Sequence, residues 1–299
     1  MNTVREGMET MQRINIIGCG QAGRPISHLL NAKNVFEIGE VACHSKESAS
    51  QAVNFIRAGI PVKNMKEMGQ ADLFMLGVPD DCIAMCAHGL ARSGLLEQGT
   101  IVFHLSGSLP ASELNPVKKC GALTASIHPI KSFADTQTSV QTFAGTFCGI
   151  EGDPDAVRVL TRAFEKIGGK LVPIDTKNKN IYHAASVFVC NYQNALLEIG
   201  LRCYMKAGLD RETARDIMAP LVRNTVENIL ASDTIKALTG PIARGDHKVV
   251  AREIDALAQW DPQMSGLYTQ LGKIVLELSA QQPNASQAHL AILKDILGG

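Results

Sequence analysis

From Arg13 the chain alternates short apolar, β-rich runs with longer stretches whose apolar positions recur at helical spacing. The runs are RINIIGCG, EIGEVACHS, ADLFMLGVP, GTIVFHLSG, GALTASIHP, TFCGIEG and KLVPID. This alternation predicts βαβ units and a mainly parallel sheet. Most of the runs are continuously apolar, as strands covered on both faces are. After Asp175 the β-branched runs and their turn punctuation stop. IYHAASVFVCNYQNALLEIGLRCYMKAG is long enough for one extended helix ending at Gly208. RETARDIMAPLVRNTVENIL, HKVVAREIDALAQW and SGLYTQLGKIVLELSAQ predict three more, with breaks at Asp233, Pro241 to Asp246 and Asp261-Pro262. The polar segment Thr176 to Asn180 marks the change of pattern. The expected division is a flexible N-terminus 1–12, an α/β domain 13–176 and an all-helical domain 177–299.

One turn carries a specific chemistry. Gly18-Cys19-Gly20-Gln21-Ala22-Gly23 directly follows the first apolar strand and precedes a helix. In that context GxGxxG reads as the dinucleotide-binding turn of a Rossmann domain. The first glycine permits the tight turn, the second lets backbone approach a pyrophosphate, and the third permits close helix packing. Helix N-terminal amides then receive the phosphates. At the end of the second strand, where an enzyme using NADH places an acid against the ribose, this chain has His44-Ser45-Lys46. A hydroxyl and a cation suit a 2′-phosphate, so NADPH is the expected cofactor. Two further strand ends fall where a dinucleotide lies. Val78 and Pro79 would cover its adenosine side, and Ser106 with the small Gly107 would let the nicotinamide end approach.

Composition narrows the partner. A hydrophobic fraction of 45% with 19% charged residues supports a packed core rather than disorder, and a net charge of zero with 5% aromatics lacks the footprint of a nucleic-acid binder. A small-molecule substrate is expected instead. The cysteines at 19, 43, 82, 86, 120, 148, 190 and 203 form no ligand spacing, so no metal is expected and they read as buried free thiols. The stretch Met1 to Gln12 is polar, and no apolar run approaches the roughly eighteen residues that span a bilayer. A cytoplasmic protein without a membrane partner is the expectation.

GCGQAG, the strand ends GVPDD and HLSGS, and then SIHPIKSF, YHAASVFVCNY and LTGPIARGD together resemble a bacterial Rossmann-like family with a C-terminal domain of unassigned function (DUF2520 type), related to ketopantoate and pyrroline-5-carboxylate reductases. The resemblance covers the chain after residue 12. It implies a 6-phosphogluconate-dehydrogenase-like architecture, often dimeric, and a homodimer through apolar helices of the second domain is expected. It also implies NADPH-dependent reduction of a small 2-oxo acid, with ketopantoate the named example. Reduction of a cyclic imine such as pyrroline-5-carboxylate is a second reading, and a non-catalytic NADP-binding sensor or scaffold a third.

A carbonyl reductase needs a proton or hydrogen-bond donor aimed at the carbonyl oxygen. His183 qualifies near neutrality. Asn194 lies eleven residues on, about three turns of an unbroken α-helix, with Asn191 one turn before it. These asparagines would orient the substrate. The related reductases carry a lysine followed four residues later by an asparagine on this helix. Here Lys179 is followed at that spacing by His183, which leaves both as proton-donor candidates. His128, in Ser126-Ile127-His128-Pro129, resembles the HP element of prephenate dehydrogenase relatives and either contacts substrate or simply ends a strand. Arg244 could clamp a carboxylate unless it pairs with Asp246, which is well suited to cap the next helix. Glu253, in a segment resembling the TEID of ketopantoate reductases, is either a substrate contact or an exposed helix charge.

Overall fold

The computed structural model describes residues 11–298. The expected flexible segment 1–12 lies almost wholly outside the described residues.

The strands are β1 (Arg13–Ile17), β2 (Glu37–Ala42), β3 (Ile60–Val62), β4 (Leu73–Leu76), β5 (Ile101–His104), β6 (Leu123–Pro129), β7 (Phe147–Gly152) and β8 (Lys170–Pro173). They form one sheet in the order β3-β2-β1-β4-β5-β6-β7-β8, parallel throughout except for the antiparallel pair β6/β7. Between them run α1 (Gly23–Ala32), α2 (Lys46–Ile56), α3 (Asp80–Ala91), the short α4 (Asn115–Lys118) and α5 (Thr136–Gln141), and α6 (Pro154–Lys166). The seven predicted runs all become strands. β3 is an addition that sequence reasoning missed, a three-residue edge strand containing Pro61, which has no amide to offer a ladder.

β4 and β5 are buried along their whole length because helices cover both faces of the sheet. One face carries Ile16, Met75, Phe103 and Phe164, and the other carries Phe74, Leu76, Val102 and Ile83. Phe103 and Phe164 meet edge to face at 6.5 Å, which locks α6 onto the sheet. Chain order reverses between β1 and β4, so a crevice opens at their carboxyl ends, the usual ligand position in such sheets.

The predicted long helix is broken into α7 (Lys179–Ser186), a π-helical turn Val187–Asn191, and α8 (Tyr192–Lys206). The eleven-residue spacing that put His183 and Asn194 on one face assumes an unbroken α-helix, and the wider π turn removes that basis. The compact unit built on the sheet continues to Asn191, and the second begins at Tyr192. The division therefore falls later than the 176/177 boundary read from sequence, because α7 packs its polar side chains onto the ends of β6 and β7.

The second unit holds α8, α9 (Arg211–Ala231), the single turn α10 (Pro241–Arg244), α11 (His247–Trp260), α12 (Pro262–Ser279) and α13 (Gln287–Ile296). Ile242, Val250, Leu293 and Leu297 form its core. Asp210 caps α9 and Asp261 caps α12 through carboxylate bonds to first-turn amides. No disulfide joins the cysteines, and Cys120 and Cys190 are exposed, a correction to their reading as uniformly buried thiols. Among the described residues no helix is long and apolar enough to cross a membrane, and no group of His, Cys, Asp or Glu is arranged to hold a metal ion.

Candidate active site

The glycine turn between β1 and α1 forms one end of the crevice. Gly18 has φ +79°, and a Cβ there would lie 2.3 Å from Val78 Cγ1. Gly77 is its counterpart just after β4, where a Cβ would lie 2.5 Å from the Gly18 carbonyl oxygen. The two loops can approach this closely only because both residues lack side chains. Around Gly20 the space is open, as a ligand-approach position requires. A Cβ at Gly23 would meet only ordinary contacts, from 3.6 Å upward, so helix packing does not demand the third glycine.

A cavity of about 580 Å³ extends from this turn. It is lined by Gly18, Cys19, Gly20, Arg24, His44, Ser48, Val78 and Pro79, with a sulfur-rich wall that includes Cys43, Met65, Cys82 and Met85. Arg24 Nε donates to the Cys19 carbonyl at 3.1 Å, which leaves the rest of its guanidinium fork for a ligand. The β2 end departs from expectation. Ser45 caps α2, its hydroxyl accepting the Ser48 amide at 3.1 Å, and neither Ser45 nor the exposed Lys46 lines the cavity. His44 does line it, and its Nε2 lies 3.0 Å from the Ser48 hydroxyl.

The other end of the crevice lies beyond β5 and β6. Ser106 is buried, and its hydroxyl donates to Asp80 at 2.7 Å while accepting the Ser108 and Leu109 amides. The hydroxyl is thus a latch that fixes the loop expected beside the nicotinamide end. Ser108 also donates to Asp80, at 2.8 Å. Gly107 sits between two imidazoles: a Cβ there would lie 2.5 Å from His183 Cδ2 and 2.7 Å from His128 Nε2. The His128 and His183 rings meet edge to face with centroids 5.8 Å apart.

The β6/β7 register sets His128 opposite Gly149. The missing side chain at Gly149 makes room for the Tyr182 phenol, whose oxygen lies 2.9 Å from His128 Nδ1. Burial, with the nearby His183 and Lys179, pushes the His128 imidazole down to about 4, so it is neutral near pH 7. His104, buried at the end of β5, is likewise held near 4, chiefly by burial. Its Nδ1 accepts the Ser106 amide at 3.2 Å, so its proton is on Nε2 and is donated to the Pro110 carbonyl.

Lys179 does not face the crevice as a free donor. It is buried, pairs with Glu151 at 3.1 Å, and donates to the Ser126 hydroxyl. Glu151 also accepts the Ala111 amide at 2.7 Å and the Thr176 hydroxyl at 3.1 Å. Burial lowers the Lys179 ammonium from its ordinary value, while Glu151 opposes the shift. An ammonium committed to these partners organises the site, which corrects the reading of Lys179 as a free proton donor.

Residues 4–129 match a Rossmann-like domain family, and residues 146–275 match a domain of unknown function, DUF2520. A Rossmann-like match is thus followed along the chain by a DUF2520 match. The DUF2520 match begins at the edge of β7, so this domain contributes the last two strands as well as the helices. A protein from Thermotoga maritima, TM1727, is similar at 26% identity and TM-score 0.72 over 89% of this chain and 98% of its own. BF3122 from Bacteroides fragilis, a candidate NADP oxidoreductase, is similar at 23% identity and TM-score 0.72 with the same coverage. A pyrroline-5-carboxylate reductase from Coxiella burnetii shares the fold at 17% identity and TM-score 0.57, over 96% of this chain and 99% of its own. No functionally curated protein matches the sequence.

The Rossmann-like domain thus brings together Gly18, Cys19, Gly20, His44, Val78 and Pro79 at one cavity, while Gln21 is exposed on the turn and Ala22 packs toward the core. Where the two family regions meet, Gly107 and His128 come together with Tyr182 and His183. Asn191 ends the π turn and is exposed, and Asn194 lies in the other compact unit. Two DUF2520 residues are corrected. Arg244 Nε donates to Asp246 at 2.9 Å, which undoes the carboxylate-clamp reading and diverts the Asp246 side chain from capping α11. Glu253 accepts the Tyr268 hydroxyl at 2.5 Å and serves its own helix pair. Sequence reasoning missed Arg24, Ser48, Asp80, Glu151 and Tyr182. Arg24, next after the last fingerprint glycine, and Asp80, at the start of the helix after β4, carry positional signals. Glu151 and Tyr182 carry none without the strand register.

Proposed function

We propose that the chain is an NADP(H)-dependent oxidoreductase acting on a small molecule with a reducible double bond, a 2-oxo acid such as ketopantoate being the first substrate to test. The observation that carries the reading is the placement of two imidazoles against Gly107 at one end of a sheet whose other crevice end is a glycine cradle. The cradle fits a dinucleotide. Gly18 and Gly77 let the two loops close on each other, Gly20 faces open space where a pyrophosphate would lie, the sulfur-rich wall is apolar enough for adenine, and Arg24, His44 and Ser48 offer donors to a 2′-phosphate. The dinucleotide, when bound, supplies the hydride.

The chain's residues supply the rest. His183 gives the proton to the substrate atom that gains electrons, and His128, neutral, offers a hydrogen bond beside it. Asp80 holds the Ser106–Ser108 loop in place, and the Lys179–Glu151 pair holds α7 against β6 and β7, so both imidazoles are fixed before substrate arrives. The fold shared with the Coxiella burnetii reductase favours a cyclic imine as the second reading.

NADPH oxidation, followed by absorbance with a panel of 2-oxo acids and cyclic imines beside NADH controls, tests the proposal. Turnover lost in His183→Ala with NADPH binding retained is the expected result. NADPH binding without oxidation across the panel would leave a sensor or scaffold in place of an enzyme.

A further inference from the structure

The tautomer of His128 decides which atom a substrate can present to it. A neutral imidazole has one donor and one acceptor nitrogen, and the partner of one fixes the role of the other. Nδ1 is bonded to the Tyr182 hydroxyl at 2.9 Å, and Nε2 is the nitrogen beside Gly107. The direction of the first bond follows from the chemistry of the two groups: a neutral phenol is the stronger donor and a bare imidazole nitrogen the stronger acceptor. The Tyr182 oxygen rests over Gly149, where a Cβ would be only 2.5 Å away, and among the described residues His128 Nδ1 is the acceptor within its hydrogen-bond reach. The phenol hydrogen therefore turns toward Nδ1. Burial pushes the phenol up to about 12, so the hydrogen is present throughout the neutral range.

We propose that Tyr182 is a positioning residue that holds His128 as the Nε2–H tautomer, so that the site takes a carbonyl oxygen in preference to a protonated imine. This rests on the oxidoreductase reading above and names its substrate class. A carbonyl oxygen accepts the Nε2–H bond, and accepts it more strongly as charge develops on it. The hydride adds to the carbonyl carbon, the π pair moves to oxygen, and that oxygen takes its proton from His183 while His128 keeps its own. The nicotinamide is the group oxidised. A protonated imine presents N–H to N–H, which leaves two donors facing each other without acceptors. The charges around His128 act in the same direction. Lys179 and His183 on α7 disfavour added positive charge, Asp80 on α3 opposes them, and the ring remains neutral. Gly149 is essential to the device, since any side chain there would displace the phenol.

Long-range proton–nitrogen NMR on labelled protein, with His128 assigned by loss of its signals in His128→Gln, tests the tautomer directly. The expected wild-type spectrum near neutral pH shows Nε2 protonated and Nδ1 bare, and Tyr182→Phe shows mixed tautomers. A wild-type Nδ1–H would overturn the proposal, as would a Tyr182→Phe spectrum identical to wild type. With NADP-loaded protein, oxamate, which carries a carbonyl beside a carboxylate, is expected to shift the Nε2–H resonance, and proline, a cyclic ammonium, to leave it in place. The reverse pattern, or no response to oxamate, overturns the substrate assignment. In turnover, Tyr182→Phe is expected to lower kcat for a 2-oxo acid by roughly tenfold to a hundredfold with little change in KM. If no compound is turned over, the oxidoreductase reading fails, while the spectra still decide the tautomer and the preference for oxygen.

Discussion

Gly107 lies so close to His128 that one added methyl group would stand 2.7 Å from the imidazole Nε2, and it would be closer still to His183. The smallness of this residue serves the two rings on its side-chain face, which sets how near a reacting atom can come. In Gly107→Ala the rings must swing away. Turnover is expected to fall by about a hundredfold, the usual consequence of a misplacement near 1 Å, while NADPH affinity changes little because the glycine cradle is untouched. Steady-state kinetics beside a fluorescence titration of NADPH checks both halves.

Arg24 and Lys46 make opposite predictions. Arg24 lines the cavity with most of its guanidinium uncommitted, whereas Lys46, in the first turn of α2, is exposed and is not among the lining residues. Arg24→Ala is expected to weaken NADPH by about tenfold or more, the loss of one charged hydrogen bond, and to affect NADH less. Lys46→Ala should leave both affinities within roughly a factor of three. Equal losses of NADPH and NADH in Arg24→Ala would place the guanidinium on the pyrophosphate instead.

Much of the frame is legible in the chain because local pattern determines it. The GCGQAG turn sits between an apolar strand and a helix, and β4 and β5 declare their burial by unbroken apolar runs. β3 is silent because three residues with a proline carry no periodicity. The π turn at Val187–Asn191 hides for a different reason: over a single turn, apolar residues such as Val187, Phe188 and Val189 look alike in α and π geometry. The core of the site is long-range. Tyr182 and His128 are 54 positions apart, and their meeting depends on β7 running antiparallel to β6 with Gly149 opposite His128. A lysine four residues before a histidine looks like a choice of acids in sequence, and only the burial of Glu151 and Ser126 beneath Lys179 separates the two.

The Lys179–Glu151 pair should behave as a buried ion pair, with side chains 4% and 7% exposed. Removing one partner leaves the other charge stranded, so Lys179→Met is expected to cost about 3–5 kcal/mol in denaturant unfolding. Adding Glu151→Leu should recover much of that loss. Failure of the double variant to recover would mean that the Ala111 and Thr176 bonds to Glu151 matter more than the pair.

His104 and His128 set an acid limit on stability. Both are held near 4 in the folded protein, below the ordinary value of 6.5, so the unfolded chain binds more protons between those values. Their contribution is complete above about pH 6.5 and is lost as pH falls toward 4. The urea midpoint should fall over that window, and His104→Asn should flatten the fall whatever it does to the midpoint near pH 7. An unchanged slope would show that these imidazoles are reached by solvent.

The helical unit predicts its own partner. α9 buries only Ala214 while Ile217 and Leu221, one turn apart, are 44% and 58% exposed, and Val226 and Leu230, also one turn apart, are 36% and 80% exposed. Two apolar faces on one helix leave surface that a second copy of the chain is suited to cover, since each such side chain is worth about 1.5–3 kcal/mol when fully buried. A homodimer is therefore expected by light scattering on a sizing column, and Leu221→Asp should shift it toward monomer without unfolding α9, where the position is already solvent-facing. A wild-type monomer at micromolar concentration would remove the prediction, and a dimer indifferent to Leu221→Asp would move the interface to another face.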